Sequence, residues 1–339
     1  MKKCYLYKKL LKQEIQCQTC NHFCKINPNK TGICGVRLNK SGKLYALNCG
    51  EVIAVGIDPI EKKPLFHFLP GTMTYTIATA GCNFRCSHCQ NWGISQITKK
   101  QEVRSKKLED DFPGQKMTPA EIVEEAIKHN CPSISYSYTE PTIFFEYAYD
   151  TMKLAHQVGL KNVWVSNGYM SEQTFKKAAP LLDAINVDLK SFSDKFYREN
   201  CGARLKPVLD NLEKIYHFQG AATGHLRDGD SSEVGEKTAT ETPPRWAKHS
   251  SEVAEEQHHK IHLEITTLII PGKNDSEKEL TQLSQHLVQR LGPEVPWHLS
   301  RFFPAYKMPD IPPTPISTLK KAKQIGKKAG LKHIYLGNI

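Results

Sequence analysis

No run in this 339-residue chain approaches the roughly 18 consecutive apolar residues needed to span a bilayer. The N-terminus, MKKCYLYKKLLKQEIQ, carries lysines but lacks a sustained apolar stretch followed by a small-residue cleavage site, which argues against a signal peptide. With a mean hydropathy of −0.48, the expectation is a soluble, cytoplasmic protein with no membrane partner. Acidic residues are also in short supply: 35 Asp and Glu face 46 Lys and Arg, a formal charge of +11. Such an excess suits an acidic partner or nucleic acid, but a lysine-rich solvated surface produces it equally well. Nucleic acid therefore stays open without being favoured.

Cysteine, by contrast, is abundant. Eleven cysteines in a cytosolic chain point to metal or redox chemistry rather than to a disulfide framework. Seven of them form two tight groups, Cys17, Cys20, Cys24 and Cys34, then Cys82, Cys86 and Cys89. Cys4, Cys49, Cys131 and Cys201 are isolated and read as packing residues.

Residues 1–70 read as a loop-rich, cysteine-bearing N-terminal unit, and 71–339 as the main domain. From residue 73 short β-rich runs alternate with helical patterns. The strands expected are 73–80, 133–138, 162–166, 184–189, 261–270, 297–303 and a last short one at 333–337. Between them lie helix signals. Thr118, Pro119 and Glu121 spell a capping box with proline at the first helical position. Ser276 and Glu279 spell a second. Further helices are expected near 143–157, 172–179, 205–218 and 315–329. Strands alternating with helices imply parallel βαβ units, in an open sheet or a full or partial barrel. Functional residues then belong at the C-terminal ends of strands. The polar, charged stretch 219–260 breaks this rhythm and reads as a disordered or loosely folded insert; His258, His259 and His262 at its edge are read as chance neighbours rather than a metal site.

Directly after the first of these strands comes ATAGCNFRCSHCQNWGIS, which sets Cys82, Cys86 and Cys89 in the spacing C-x3-C-x2-C. Three thiolates on one short loop ligate three irons of a [4Fe–4S] cubane and leave the fourth without a protein ligand. An open iron is what the amino and carboxylate groups of S-adenosylmethionine (SAM) need in order to bind. The competing reading is structural zinc, which usually takes four protein ligands in paired C-x2-C units.

This loop resembles the signature of the radical SAM superfamily, and GCNFRCSHCQNW is similar to its pyruvate formate-lyase activating enzyme branch. His88 stands where the superfamily usually has an aromatic residue. The resemblance extends to later strand ends. Tyr138-Thr139-Glu140-Pro141 falls at the place of the Gly-Gly-Glu motif, which implies that Glu140 lies near the SAM amino group. The segment 165–168 implies SAM contacts from Ser166 and Asn167, and Asp188-Leu189-Lys190 matches the family's Asp-x-Lys element. Ile270-Pro271-Gly272-Lys273-Asn274-Asp275 matches an Ile-Pro-Gly-x-Asn-Asp turn, and Arg301-Phe302-Phe303-Pro304 falls where activating enzymes have a loop near the methionyl end of SAM.

The first cysteine group, Cys17, Cys20, Cys24 and Cys34, reads C-x2-C-x3-C-x9-C, which can fold a small knuckle around zinc or hold a second iron–sulfur cluster. Together with GICGVR, DPIEKKPLFHFLPG, HLSRFFPAYKMPDIPPTP and IYLGNI, this block is similar to the AmmeMemoRadiSam system radical SAM enzyme family. Members often carry a cysteine-rich tail after the last motif; the sequence here ends at Ile339. The resemblance implies a partial (β/α)6 TIM-like barrel with an N-terminal cysteine-rich extension. It further implies reductive cleavage of SAM to a 5′-deoxyadenosyl radical that abstracts hydrogen from a substrate. A flavodoxin- or ferredoxin-like electron donor follows from the same resemblance, as does a protein substrate, with Memo- and AMMECR1-like proteins as partners. Two other readings remain at this point: the same fold acting on a nucleoside in RNA, and a non-catalytic zinc-binding module.

Overall fold

A computed structural model of the chain describes residues 1–97, 112–219 and 259–339. The insert expected at 219–260, with His258, falls almost wholly outside the described residues. The N-terminal part builds two three-stranded antiparallel sheets. One orders β1 (Lys2–Lys3), β6 (Lys43–Ala46) and β5 (Arg37–Lys40); the other orders β2 (Tyr7–Lys9), β3 (Ile15–Cys17) and β4 (Lys25–Ile26). The stretch expected to be loop-rich is thus held by short strands of two to four residues.

Among the described residues the main sheet has nine strands. At one edge β7 (Glu51–Pro59) pairs antiparallel with β8 (Met73–Thr79), and β9 (Gln115–Lys116) pairs with β7. From β8 onward every neighbour is parallel and taken in chain order: β10 (Ser133–Tyr136), β11 (Lys161–Ser166), β12 (Ala184–Asp188), β13 (His262–Ile269), β14 (Trp297–Arg301) and β15 (Ile334–Gly337). Among the described residues the two ends of the sheet do not pair, so the wall is a partial (β/α) barrel, as expected. Each expected strand is present.

The helices form for the reasons visible in the sequence. Thr118 caps Pro119–Lys128: its side chain accepts from the Glu121 backbone N–H while the Glu121 carboxylate takes the Thr118 N–H. Ser171 caps Glu172–Ala178 and Ser276 caps Glu277–Leu291 by the same side-chain acceptance. Their apolar faces bury residues such as Ile122, Val123 and Leu287 against the sheet, which supplies most of the driving force. Among the described residues no helix is long and apolar enough to cross a membrane.

The N-terminal end of the barrel is closed by the segment between β7 and β8. Pro64 accepts a hydrogen bond from Asn186 Nδ2 (2.8 Å), and the His67 backbone N–H donates to Glu264 Oε1 (2.7 Å). Glu264 is fully buried and is also met by His298 Nε2 at 2.6 Å and His262 Nε2 at 3.0 Å. Burial alone would raise its carboxyl, but hydrogen bonds from His262, His298 and the backbone of His67 and Phe66 outweigh it and hold the pKa at about 2 instead of 4.5. A carboxyl lowered in the folded state contributes stability above its unfolded pKa and loses it as pH falls towards the folded one. Wild type should therefore lose on the order of 3 kcal/mol more stability than Glu264→Gln as pH drops from about 4.5 to about 2. Parallel acid-denaturation curves for the two proteins would show the barrel end to be held by something else.

Candidate active site

The C-terminal end of β8 runs straight into the cysteine loop. Gly81 turns it with φ +104°, and a Cβ there would lie 2.7 Å from Val36 Cγ1 and 3.2 Å from the Cys34 carbonyl oxygen. Only glycine fits so close to the N-terminal unit in that backbone conformation. Gly81→Ala should cost about 1–3 kcal/mol by overpacking. A denaturation midpoint equal to wild type would show that this junction has slack.

The loop is then anchored on three sides. Phe84 is buried against Tyr169 and Tyr197. Backbone N–H groups of Arg85 and Ser87 donate to the carbonyls of Cys201 and Asn200 (both 2.8 Å), and Lys307 N–H donates to Ser87 O (3.0 Å). The Cys89 thiol meets Ser95 Oγ at 3.2 Å. Cys86 is buried; Cys82 and Cys89 are partly exposed.

All three thiols face one cavity of about 280 Å³. The same cavity is lined by Glu140, Ser166, Asn167, Asp188 and Lys190, which come from the ends of β10, β11 and β12. Five strand-end residues and three thiols from distant parts of the chain therefore converge. Arg301 is not in that wall: its Nε donates to the Thr314 carbonyl (2.8 Å) and its guanidinium lies over the Phe303 ring at 4.9 Å.

The polar residues differ in how free they are. Glu140 is enclosed: Thr142 and Ser166 donate to Oε1, and the Asn167 backbone N–H donates to Oε2 at 2.8 Å. Burial raises its pKa against the opposing pull of those donors. The carboxylate thus braces the end of β11 against the end of β10. Asn167 Nδ2 donates to Asn83 Oδ1 (2.7 Å), which ties this brace to the residue beside Cys82. Lys190 Nζ pairs with Asp188 Oδ2 at 3.0 Å. Burial would lower the Lys190 ammonium, but Asp188 and the Cys86 and Cys201 thiols outweigh it and raise it well above its usual value, so it carries a fixed positive charge into the wall.

Other residues in and around the site have contacts that the sequence does not show. Cys201, read as packing, places its sulfur with Cys86 Sγ and a His88 ring nitrogen, all within 4.8 Å of one another; it does not line the cavity. Tyr138, in the left-handed region at φ +62°, lines the wall and sends its hydroxyl to Asp58. Asp58 is also gripped by Lys62 and Lys63, each at 2.6 Å. Pairing of β7 with β8 brings Asp58 to Thr74; the motif DPIEKKPLFHFLPG that Asp58 opens marks the segment but not this contact.

The donor set fits an iron–sulfur cluster. Three sulfurs share a cavity far larger than a single ion requires, and two buried nitrogens of the same loop, Asn83 Nδ2 and His88 Nδ1, have no hydrogen-bond partner among the described residues. Buried polar atoms of that kind are rare without an acceptor nearby.

The profile of the Radical SAM superfamily matches residues 76–221 of the chain. An uncharacterized protein of Methanocaldococcus jannaschii is 39% identical over 339 residues, which is 100% of this chain and 86% of the relative. A second uncharacterized protein of that organism is 24% identical over 200 residues, 59% of this chain and 51% of the relative. Among solved structures, a domain of pyruvate-formate lyase-activating enzyme from Bacteroides vulgatus aligns with 60% of this chain and 98% of its own, at 14% identity and a TM-score of 0.42. Streptococcus suis SuiB bound to S-adenosylmethionine aligns with 76% of this chain and 48% of its own, at 10% identity and a TM-score of 0.47.

Proposed function

The chain belongs to the radical SAM superfamily, and on that premise we propose that Cys82, Cys86 and Cys89 hold its [4Fe–4S] cluster while the strand ends around them bind SAM. The observation that carries this reading is the shared cavity: three thiols and the ends of three strands enclose one space, and among the described residues no fourth cysteine lines it. When bound, the cluster supplies the electron for reductive cleavage of SAM to a 5′-deoxyadenosyl radical, which takes hydrogen from a substrate.

The protein's own part is placement. The charged pair Lys190–Asp188 presents one cation and one anion to the cavity, which suits a zwitterionic ligand such as the methionyl end of SAM. Ser166 and Asn167 offer polar groups whose positions are fixed by Glu140. Glu140, with its oxygens already accepting from Thr142, Ser166 and Asn167, acts through them as a positioning residue. Trp92, the residue after the cavity-lining Asn91, stacks on Tyr306 with ring centroids 5.3 Å apart and planes 14° apart, and Lys307 lies over the Tyr306 ring.

The finer reading is an activating-enzyme-like protein of the AmmeMemoRadiSam kind. In it a flavodoxin- or ferredoxin-like donor supplies electrons, and a protein, of the Memo- or AMMECR1-like sort, is substrate or partner. An aromatic pair flanked by a cation beside the cysteine loop suits a peptide segment. The test is anaerobic reconstitution followed by SAM and a strong reductant. Release of 5′-deoxyadenosine is the expected product; protein with its full iron content that leaves SAM intact would remove the assignment.

A further inference from the structure

The N-terminal cysteines form a second site of a different kind. Cys17 ends β3 and Cys34 precedes β5, and two turns, Phe23 N–H to Cys20 O (3.1 Å) and Gly35 N–H to Gly32 O (2.9 Å), bring the chain back on itself. All four sulfur residues, Cys17, Cys20, Cys24 and Cys34, line one small pocket together with Arg37. Its free volume is about 10 Å³, against about 280 Å³ at the other cysteine group. A void of about 10–15 Å³ admits one water-sized sphere. A void of that size favours one ion, on which the sulfurs must close, over a cubane of eight core atoms, for which they must part.

A second, independent observation is Arg37. It is 1% exposed, and its Nη1 and Nη2 donate to Glu146 at 3.1 and 2.7 Å. Its Nε, also buried, has no partner among the described residues. An N–H left without an acceptor at such depth costs about 1–3 kcal/mol. A thiol sulfur is a weak acceptor, whereas a metal-bound thiolate carries the negative charge that makes a charge-assisted hydrogen bond strong.

We propose that Cys17, Cys20, Cys24 and Cys34 bind a single zinc-class divalent ion, that Arg37 donates to their sulfurs, and that this ion fixes the edge of the neighbouring cavity. Four thiolates are a soft donor set suited to zinc, and with no open position the site is structural. Each thiol gives up its proton to solvent on binding. Among the described residues no three of these sulfurs lie within 4.8 Å of one another, while a Zn–S bond is about 2.3 Å, so the ion draws them inward.

The link to the cavity is direct. Asn21 N–H donates to Tyr169 O (3.0 Å), Asn21 Nδ2 to Met170 O (2.7 Å) and Ser171 N–H to Thr19 O (3.1 Å). His22 Nε2 meets the Asn83 carbonyl at 3.0 Å. The knuckle is thus the backing against which Asn167 and Asn83 are held. This link rests on the proposed function; the ion itself does not.

The test is metal analysis of the full-length protein, purified anaerobically, alongside Cys20→Ser/Cys34→Ser and Cys86→Ala. About one zinc per chain is expected in wild type and in Cys86→Ala, with zinc absent and iron retained in the double variant. The double variant should also bind SAM about 10–100-fold more weakly, as for other supports of a ligand set. Zinc absent from wild type, or iron lost with Cys20 and Cys34, overturns the ion. Zinc lost with SAM affinity unchanged overturns the link. If the double variant does not fold, Co²⁺ added to metal-stripped wild type decides: tetrahedral thiolate absorption supports the site, and its absence overturns it.

Discussion

Cys86→Ala abolishes iron binding and SAM cleavage together. A residue that only orients a metal ligand typically costs 10–100-fold in affinity or activity when removed, and loss of a ligand itself should exceed that, at least ~100-fold in 5′-deoxyadenosine released. Cys86 is 7% exposed and faces the cavity, so no outside thiol can replace it. The sharper comparison is Cys201→Ala. Cys201 sits against Cys86 and His88 but outside the cavity wall, and its removal should leave iron content and cleavage near wild type. Equal losses in the two variants would mean that the ligand set runs through Cys201 and that the three-thiol assignment is wrong.

Glu146→Ala gives the second large effect, in stability. Arg37 and Glu146 are 1% and 0% exposed and join in a two-point ion pair. Glu146 Oε1 also accepts the Tyr5 backbone N–H at 3.0 Å. Breaking such a pair leaves a buried guanidinium with only cysteine sulfurs, Cys4 Sγ at 2.9 Å among them, to meet its charge, and costs about 3–5 kcal/mol. At about 2–4 °C per kcal/mol for a domain of 150–250 residues, the melting temperature falls by roughly 10 °C. Because the pair bolts β5 to the helix Phe145–Gln157, the N-terminal unit should become protease-sensitive first. A shift under about 2 °C would show that water or another acceptor already compensates Arg37.

What could be foreseen divides along physical lines. The main sheet was legible because β-branched runs such as NVWVS and AINVDL alternate with capped amphipathic helices, and each signal is local. Glu140, Ser166, Asn167, Asp188 and Lys190 come from the family resemblance, and the topology of parallel βαβ units accounts for their lying, with the cysteine loop, at strand ends. The N-terminal sheets were not legible. Strands of two to four residues are too short to show a period, and their pairing is made by contacts across the cysteine turns. β7 was missed because its side chains are mostly part-exposed on an edge, with Val55 and Ile57 open to solvent, so no alternation marks it. The Arg37–Glu146 pair joins residues 109 apart and Tyr138–Asp58 residues 80 apart; such pairings exist only once the barrel has brought the chain together. Arg301 lies at the end of β14, where the resemblance puts it, and its side chain is engaged by Thr314 and Phe303.

The central claim is that one iron of a cluster on Cys82, Cys86 and Cys89 is open to SAM. Electron paramagnetic resonance of the anaerobically reduced, reconstituted protein, recorded with and without SAM, tests it most directly. The account predicts a single reduced-cluster signal that changes when SAM is added, in wild type and in Cys201→Ala alike. A signal identical with and without SAM, at full iron occupancy, would contradict it.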